Sequence, residues 1–364
     1  MIKYLGSKRT LLPKILQVVR SFGSDQSTII DLFSGTSRVG HALKAAGYRV
    51  LANDHNAYAA TLARCYVQAD REDHLHDAEQ LVAEFNTLSG QPGYITETFC
   101  EQARYFQPKN GERIDAIREA IARKNLDPEL EAVMLVSLME AADRIDSTTG
   151  VQMAYLKSWA ARSHKDLELR VPNLLPQAAG GKSQATQLDA IEAAQQLEAD
   201  VIYLDPPYNQ HSYLGNYHIW ETLVRWDAPE AYGIARKRID CRERASAFNS
   251  KKKFNNVMRD LLGALRCRAL VVSFNNEGYI DRPAMEAMLA TCFDGKAHVL
   301  TLEHDYKRYV GAQIGIHNLK GVKVGKVSHL RNKEYLYIVT ADASLLERLQ
   351  PDTTEVKEAL FATD

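Results

Sequence analysis

The stretch "TIIDLFSGTSRVGHALKAAGYRVLAND", Thr28 to Asp54, holds the pattern from which the fold follows. Thr28 to Phe33 is β-branched and apolar and reads as a buried strand, "SGTSRVG" is a turn of small residues, and "HALKAAG" reads as a helix ending at Gly47. "YRVLAND" then reads as a second strand ending in Asp54. Strand, glycine turn, helix and strand build the parallel unit whose ligands sit at the carboxyl ends of the strands. The turn lacks the G-x-G-x-x-G spacing of a dinucleotide site, and a tight crossover needs the same small residues. Asp54 adds a functional signal, because an acidic residue at the end of the second strand stands where ribose hydroxyls are accepted. A cap within "NDHN" is the plainer alternative for it. With no lysine-threonine phosphate loop in the chain, the pattern favours a nucleoside that carries no triphosphate.

Working outward, Leu11, Leu12, Ile15, Leu16 and Val19 recur at helical spacing, with Ser7 as a start and Gly23 as a stop. From about Asp70 to Gly180 long helical periods replace strands; Asp127 and Pro128 suit a cap and first turn ahead of Leu130, Val133, Met134, Leu138 and Ala141. Strands resume with "VIYL" (Val201 to Leu204), "ALVVSF" (Ala269 to Phe274), "HVLTLE" (His298 to Glu303) and "YLYIVT" (Tyr335 to Thr340), with helix-like "LGALRCR" and "RPAMEAMLATC" between. An α/β domain discontinuous in sequence, 1–69 and 181–345, is therefore expected, interrupted by a helical insertion over 70–180 and followed by a tail over 346–364.

Composition excludes several classes. The 364 residues are 45% hydrophobic and 25% charged, with a formal net charge of -1. A nucleic-acid partner must then be met by a local basic surface. The five cysteines are odd in number, scattered and never in a CxxC pair, which argues against a disulfide framework or structural zinc and fits a reduced, cytoplasmic setting. No signal-length apolar segment and no run of 18 apolar residues occurs, so no membrane partner is expected. "HLH" at His74 and His76 is the strongest histidine spacing and reads as surface; no metal is expected.

The chemistry gathers in "DPPY", Asp205 to Tyr208, directly after the "VIYL" strand. Pro206 and Pro207 have no N–H and nearly fixed φ, so the loop holds its carbonyls outward as acceptors at little entropic cost. Asp205 adds a carboxylate acceptor and Tyr208 a flat ring. A planar group with an exocyclic amine needs those parts. A proline-stiffened turn with a core tyrosine is the alternative.

At these residues the sequence resembles the alpha-group N6-adenine DNA methyltransferases, the DNA adenine methylase type. "KYLGSK" matches the family's N-terminal cofactor motif, "DLFSG" its D-x-F-x-G motif, and "DPPY" its catalytic tetrapeptide. The resemblance implies a Rossmann-like sheet dependent on S-adenosylmethionine, with cofactor contacts from Tyr4, Gly6, Lys8, Asp31, Phe33, Gly35, Asp54 and, in "TQLDA", Asp189. Catalysis falls to Asp205, Pro206, Pro207 and Tyr208, which receive a flipped-out adenine from double-stranded DNA. "SFNNEGYI", "HDYKRYVG" and "KEYLYIVT" resemble the family's later blocks, and the insertion occupies the place of its target-recognition region. A separately encoded restriction endonuclease is a partner such enzymes can have.

The basic surface appears downstream of that loop. Between Arg236 and Arg268 stand eleven Lys or Arg against three Asp or Glu, an excess of 11 − 3 = 8. Arg236, Lys237, Arg238, Lys251, Lys252 and Lys253 are candidate phosphate contacts, joined by Lys157 in the insertion's "DSTTGVQMAYLKSW". "NLKGVKVGKVSHLRNK", Asn318 to Lys333, is basic without an acid and suggests a hairpin on the same backbone. A solvated face is the plain alternative for any charge run. An RNA adenine methyltransferase shares this pocket logic, a glutamine or small-molecule methyltransferase would not need the basic stretch, and a silent DNA-binding module would not need an intact Asp205 and Tyr208.

Overall fold

Strand β1, Thr28–Asp31, lies inside a seven-stranded sheet because both of its faces are apolar. Ile29 enters one core and Ile30 another, the usual outcome for a parallel strand covered by helices on both sides. The computed structural model describes residues 1–22, 24, 26–307, 331–347 and 349. In chain order the further strands are β2 (Arg49–Asn53), β3 (Gln184–Thr186), β4 (Val201–Leu204), β5 (Ala231–Tyr232), β6 (Lys237–Arg238), β7 (Ala269–Asn275), β8 (His298–Lys307) and β9 (Arg331–Thr340). The main sheet runs β3-β2-β1-β4-β7-β9-β8, while β5 and β6 form a separate antiparallel ribbon. Every neighbouring pair from β3 to β7 is parallel, and β9 runs against both β7 and β8. This is a Rossmann-like sheet with an antiparallel strand pair at one edge.

Alternation along each buried strand sorts the two cores. Val201, Tyr203, Ala269 and Val271 join helices α1 (Leu12–Phe22) and α2 (Arg38–Ala45) on one face. Ile202, Leu204, Leu270 and Val272 meet Ala193, Phe254, Met258 and Met285 on the other. A third core carries the helical layer. It takes in Tyr58 and Leu62 of α3 (Ala57–Ala63), then α4 (Arg71–Asn86), α5 (Pro108–Lys124) and α6 (Pro128–Arg144). Asp127 caps α6 through the N–H groups of Glu129 and Leu130 at 3.0 and 3.2 Å. Behind the "DPPY" loop, α7 (Ala190–Gln196) precedes β4, and α8 (Tyr213–Asn216) and α9 (His218–Arg225) follow it. Tyr217, Ile219, Trp220 and Leu223 close the same third core, so the helical layer reaches past 70–180 on both sides.

Three sequence readings change. The helix expected over "LGALRCR" is α10, Phe254–Ala264, because Phe254, Met258, Leu261 and Leu262 supply its buried face and the chain is extended at Leu265. Ser7 precedes a 3-10 turn, Lys8–Thr10, rather than α1 itself, and its side chain makes no capping bond there. β3 and the β5–β6 ribbon were not legible, since strands of three and two residues show no alternation. The helix in "RPAMEAMLATC" is α11, Arg282–Leu289, capped by Asp281. Gly23, most of the basic 318–333 segment, the end of "HDYKRYVG" and nearly all of the 346–364 tail lie outside the described residues.

Candidate active site

The order reverses between β1 and β4: the chain leaves β1 toward β2 and β3, and leaves β4 toward β7. A crevice at the carboxyl ends of strands is expected at such a point. A cavity of about 470 Å³ opens there, lined from both sides of the reversal. Asp31 pairs in register with Tyr203, so the end of β1 and the start of the "DPPY" loop are neighbours. Such a volume suits a small-molecule ligand.

Of the expected cofactor residues, Tyr4, Gly6, Lys8, Asp31, Phe33, Gly35, Asp54 and Asp189 all line this cavity. Lys3 pins the N-terminal segment to the end of α6, its N–H donating to Asp143 at 3.0 Å and its Nζ to Asp146 at 2.7 Å. That anchor delivers Tyr4, whose ring stacks with Tyr213 and Tyr217 at centroid distances of 5.3 and 4.5 Å. Gly35, at φ +50°, lies so close to the tyrosine that an added Cβ would stand 3.3 Å from the Tyr4 hydroxyl. Asp54 accepts from the Gly35 N–H at 3.0 Å and the Asn56 N–H at 2.9 Å. A carboxylate has about four lone-pair sites, and the Asn56 amide takes a third at 3.3 Å, so Asp54 both shapes the glycine turn and keeps acceptor capacity. Burial raises its pKa, against His55 and the Asn56 and Gly35 donors. Asp31 is buried, accepts from the Gly40 N–H at 2.9 Å, and is pushed up to about 7 by burial, with Asp205 and Asp54 adding repulsion. Asp189 is exposed and caps α7 through the Ile191 N–H at 2.9 Å.

In the "DPPY" loop, Asp205 and Pro207 line the cavity; Pro206 is buried, and the Tyr208 ring sets its edge toward Phe274 at 5.6 Å. Lys8 decides the electrostatics. Its Nζ lies 3.1 Å from Asp205 and also pairs with Glu334 of β9, which accepts from the Ser273 hydroxyl at 2.9 Å. Burial opposes the lysine's charge, but Asp205 and Glu334 together hold its pKa well above the ordinary value. Burial pushes Asp205 up to about 6, Lys8 restrains the rise, and Glu334 adds to it.

The basic candidates separate. Lys251, Lys252, Lys253 and Lys157 are exposed, and Arg236 and Lys237 are half-buried at the β5–β6 turn. Arg238 is not a phosphate contact: it is 2% exposed, bonded to Asp227 at 2.7 Å through both Nη atoms and to Asp240 at 3.0 Å. Two carboxylates already neutralise its charge. Sequence reading also missed that 243–249 walls the cavity. Phe248 meets Phe33 edge-on at 5.2 Å, and the Asn249 amide donates to the carbonyls of Asn209 and His211 at 2.8 and 3.1 Å, stapling this wall to the segment that follows "DPPY". Only the apolar "AF" inside a basic run hinted at it. Among the described residues no group of three His, Cys, Asp or Glu is placed to hold a metal, and His74 instead sits 3.0 Å from Glu129.

Residues 4–286 match the D12 class N6 adenine-specific DNA methyltransferases, and the chain belongs to that family. Among curated relatives, it is 31% identical over 307 residues to modification methylase StsI of Streptococcus sanguinis, covering 79% of this chain and 46% of that protein. It is 29% identical to type II methyltransferase M.FokI of Planomicrobium okeanokoites, over 94% of this chain and 53% of that protein. The chain thus spans about half the length of these two relatives. Type II methyltransferase M.NlaIII of Neisseria lactamica is matched over its whole length, at 27% identity and 92% of this chain. Family membership implies a methyl donor.

Removing one partner of a buried ion pair strands the other charge, at a cost of about 3 to 5 kcal/mol. Lys8→Met is therefore expected to lower stability at pH 7 by roughly that amount. The sign with pH follows from Asp205: its folded pKa, already raised to about 6, rises further without Lys8. Lowering the pH protonates it and relieves the penalty. Urea denaturation from pH 7.5 to 5 checks this; a deficit that is constant or grows on acidification contradicts the assignment.

Proposed function

We propose that this chain is a site-specific DNA methyltransferase that moves a methyl group from S-adenosylmethionine to the N6 amine of an adenine flipped out of double-stranded DNA. The observation that carries the reading is Asp205, a partly exposed carboxylate held by buried Lys8 on the wall of the cavity at the β1/β4 reversal. The cavity chemistry suits the donor. Ser34 Oγ, Arg38 Nε and Asn56 Oδ1 belong to lining residues, are buried, and have no hydrogen-bond partner within the protein. Such orphans favour a ligand bearing hydroxyl, amine and carboxylate groups. Tyr4, Gly35, Asp54 and Asp189 would hold its nucleoside end, and Gly6 and Asp31 complete the wall. When bound, it supplies an electrophilic methyl on a sulfonium.

The chain's own task is to make a poor nucleophile attack. The adenine amine spreads its lone pair into the ring; N–H acceptance by the Asp205 carboxylate and the Pro206 carbonyl returns that pair to nitrogen. Fixed acceptors lower the barrier because they need no reorganisation. Unstacking the base costs a few kcal/mol, and stacking on Tyr208, worth roughly 1 to 3 kcal/mol, offsets part of it. The helical region, 70–180, is assigned target recognition, and Lys157, Arg236, Lys237 and Lys251 to Lys253 the phosphate backbone. A separately encoded endonuclease sharing the recognition sequence is the partner this reading implies, with both acting in the cytoplasm.

Modified-base sequencing of DNA from a methylation-deficient host expressing the chain tests the reading directly. N6-methyladenine at one short sequence is expected; methylation of RNA alone, or none, overturns it. Neutralising Lys251, Lys252 and Lys253 together is expected to weaken DNA binding at every sequence and to flatten the log K against log salt slope, by roughly one unit for each phosphate no longer neutralised. An unchanged slope makes the run a solvated face. Asp205→Ala should leave cofactor binding nearly intact while single-turnover transfer falls by roughly two to four powers of ten, about 3 to 5 kcal/mol. Asp54→Ala should instead weaken cofactor binding about tenfold to a hundredfold, the worth of a charged hydrogen bond. Because ionised Asp205 is the stronger acceptor, the wild-type rate is expected to fall as pH drops through about 6. Calorimetry and rapid-quench methylation distinguish the two variants, and near-normal transfer by Asp205→Ala would falsify its role.

A further inference from the structure

Among the described residues, the exposed large hydrophobic side chains are Met153 and Ile234, at 46% and 79% exposure. They lie 81 positions apart in sequence, yet their mounts meet at one atom: the hydroxyl of buried Tyr105 donates toward both the Gln152 carbonyl, 2.8 Å away, and the Ala235 carbonyl, 2.9 Å away. The residue beside each carbonyl carries an exposed apolar group. A lone surface isoleucine needs no explanation, but two such groups on loops tied to one hydroxyl are a feature of the fold.

Both mounts are stiff. Gln152 is buried, its N–H donating to the Asn216 carbonyl at 2.7 Å and its side-chain oxygen accepting from the Ile219 N–H at 2.8 Å. Ile234 stands in the turn between β5 and β6, where Gly233 and Arg236 take φ of +68° and +50°. The foot of that ribbon is locked by Arg238 to Asp227 and Asp240. The site also adjoins the cavity: Lys237 Nζ lies 3.5 Å from where a Cβ on Gly215 would stand, two residues after the cavity-lining Tyr213. Arg236 and Lys237 follow the apolar tip at the β5–β6 turn, and the Arg104 guanidinium donates to the carbonyl of Lys157 on the loop that carries Met153. An exposed apolar tip on a rigid support, followed closely by two cationic residues, is matched to a polyanion with a stacked interior. Isoleucine and methionine are among the side chains that enter base steps from such supports.

We propose that Ile234 is a wedge that enters the base stack where the target adenine leaves it, with Met153 supporting the same opened step from the adjoining loop. The proposal rests on the DNA methyltransferase reading. Filling the vacated step lowers the cost of keeping the base extrahelical; it makes no contact with the transferred methyl. Its effect therefore belongs to base extrusion, and it should vanish when the base is already unpaired.

The test is Ile234→Ala, assayed by single-turnover methylation on the wild-type target duplex and on the same duplex with an abasic site opposite the target adenine. At 79% exposure the substitution leaves the fold undisturbed. On the matched duplex the rate is expected to fall about tenfold or more. On the abasic duplex it should return to within about threefold of wild type, because an unpaired base costs less to extrude. Ile234→Met should restore most of the matched-duplex rate, and Met153→Ala should show the same pattern more weakly. Equal rates on the matched duplex overturn the proposal, as does an equal loss on both duplexes or a loss that tracks a change in oligomeric state. A wild-type chain that methylates neither duplex refutes the underlying reading instead.

Discussion

One buried ammonium holds the cavity end of this molecule together. Lys8 comes from the N-terminal segment, Asp205 from the loop after β4, and Glu334 from β9, and the three meet where little water reaches. Two carboxylates close together in such a place repel and drive each other toward the neutral acid; one cation between them lets the more exposed one stay available as an anion. Segments up to 326 positions apart are thereby fixed to one another. The stacking of Tyr4 on Tyr213 and the left-handed turn at Gly6 are the chain's route to that position, so the electrostatic requirement and the path of the N-terminus are one constraint.

Much of this was legible in the sequence because it is local. β1 announced itself by a β-branched run and β2 by a short apolar run ending in Asn53 and Asp54, with a small-residue turn and a helix between them, and β4 by four apolar residues stopped by Asp205 and two prolines. The residues chosen for the cofactor side all line one cavity, since motifs read at strand ends inherit their convergence from the parallel sheet itself. Asp127 ahead of Pro128 was equally plain, because a cap and its helix are contiguous.

What escaped was non-local. Nothing around Glu334, inside a strand that reads as "KEYLYIVT", marks it as the partner of a lysine at position 8; only the pairing of β9 with β7 brings it there. The basic stretch misled for a related reason. Its excess counts Arg238 and Arg244 as surface charge, whereas Arg238 is paired with Asp227 and Arg244 donates to Glu221 at 2.8 Å. Both acids lie upstream of Arg236, outside the counted window. A run of charge reports on solvent only when no opposite charge folds back onto it.

That folding-back divides the basic segment between two uses. Its arginines at 238 and 244 are structural, anchoring the ribbon and the cavity wall, while its lysines at 251 to 253 remain exposed. Arginine suits the first use because its planar fork satisfies carboxylates bidentately, as Arg238 does with Asp227. Lysine suits the second, a compact, hydrated charge on a flexible stem that tolerates any phosphate geometry. The same contrast separates sequence-independent attraction, which needs no fixed register, from the operations at the cavity, which do. The rigid members, the Lys8 triad, the Asn249 staple and the Arg238 anchor, accordingly surround the "DPPY" loop on three sides, and the exposed lysine charges stand farther out.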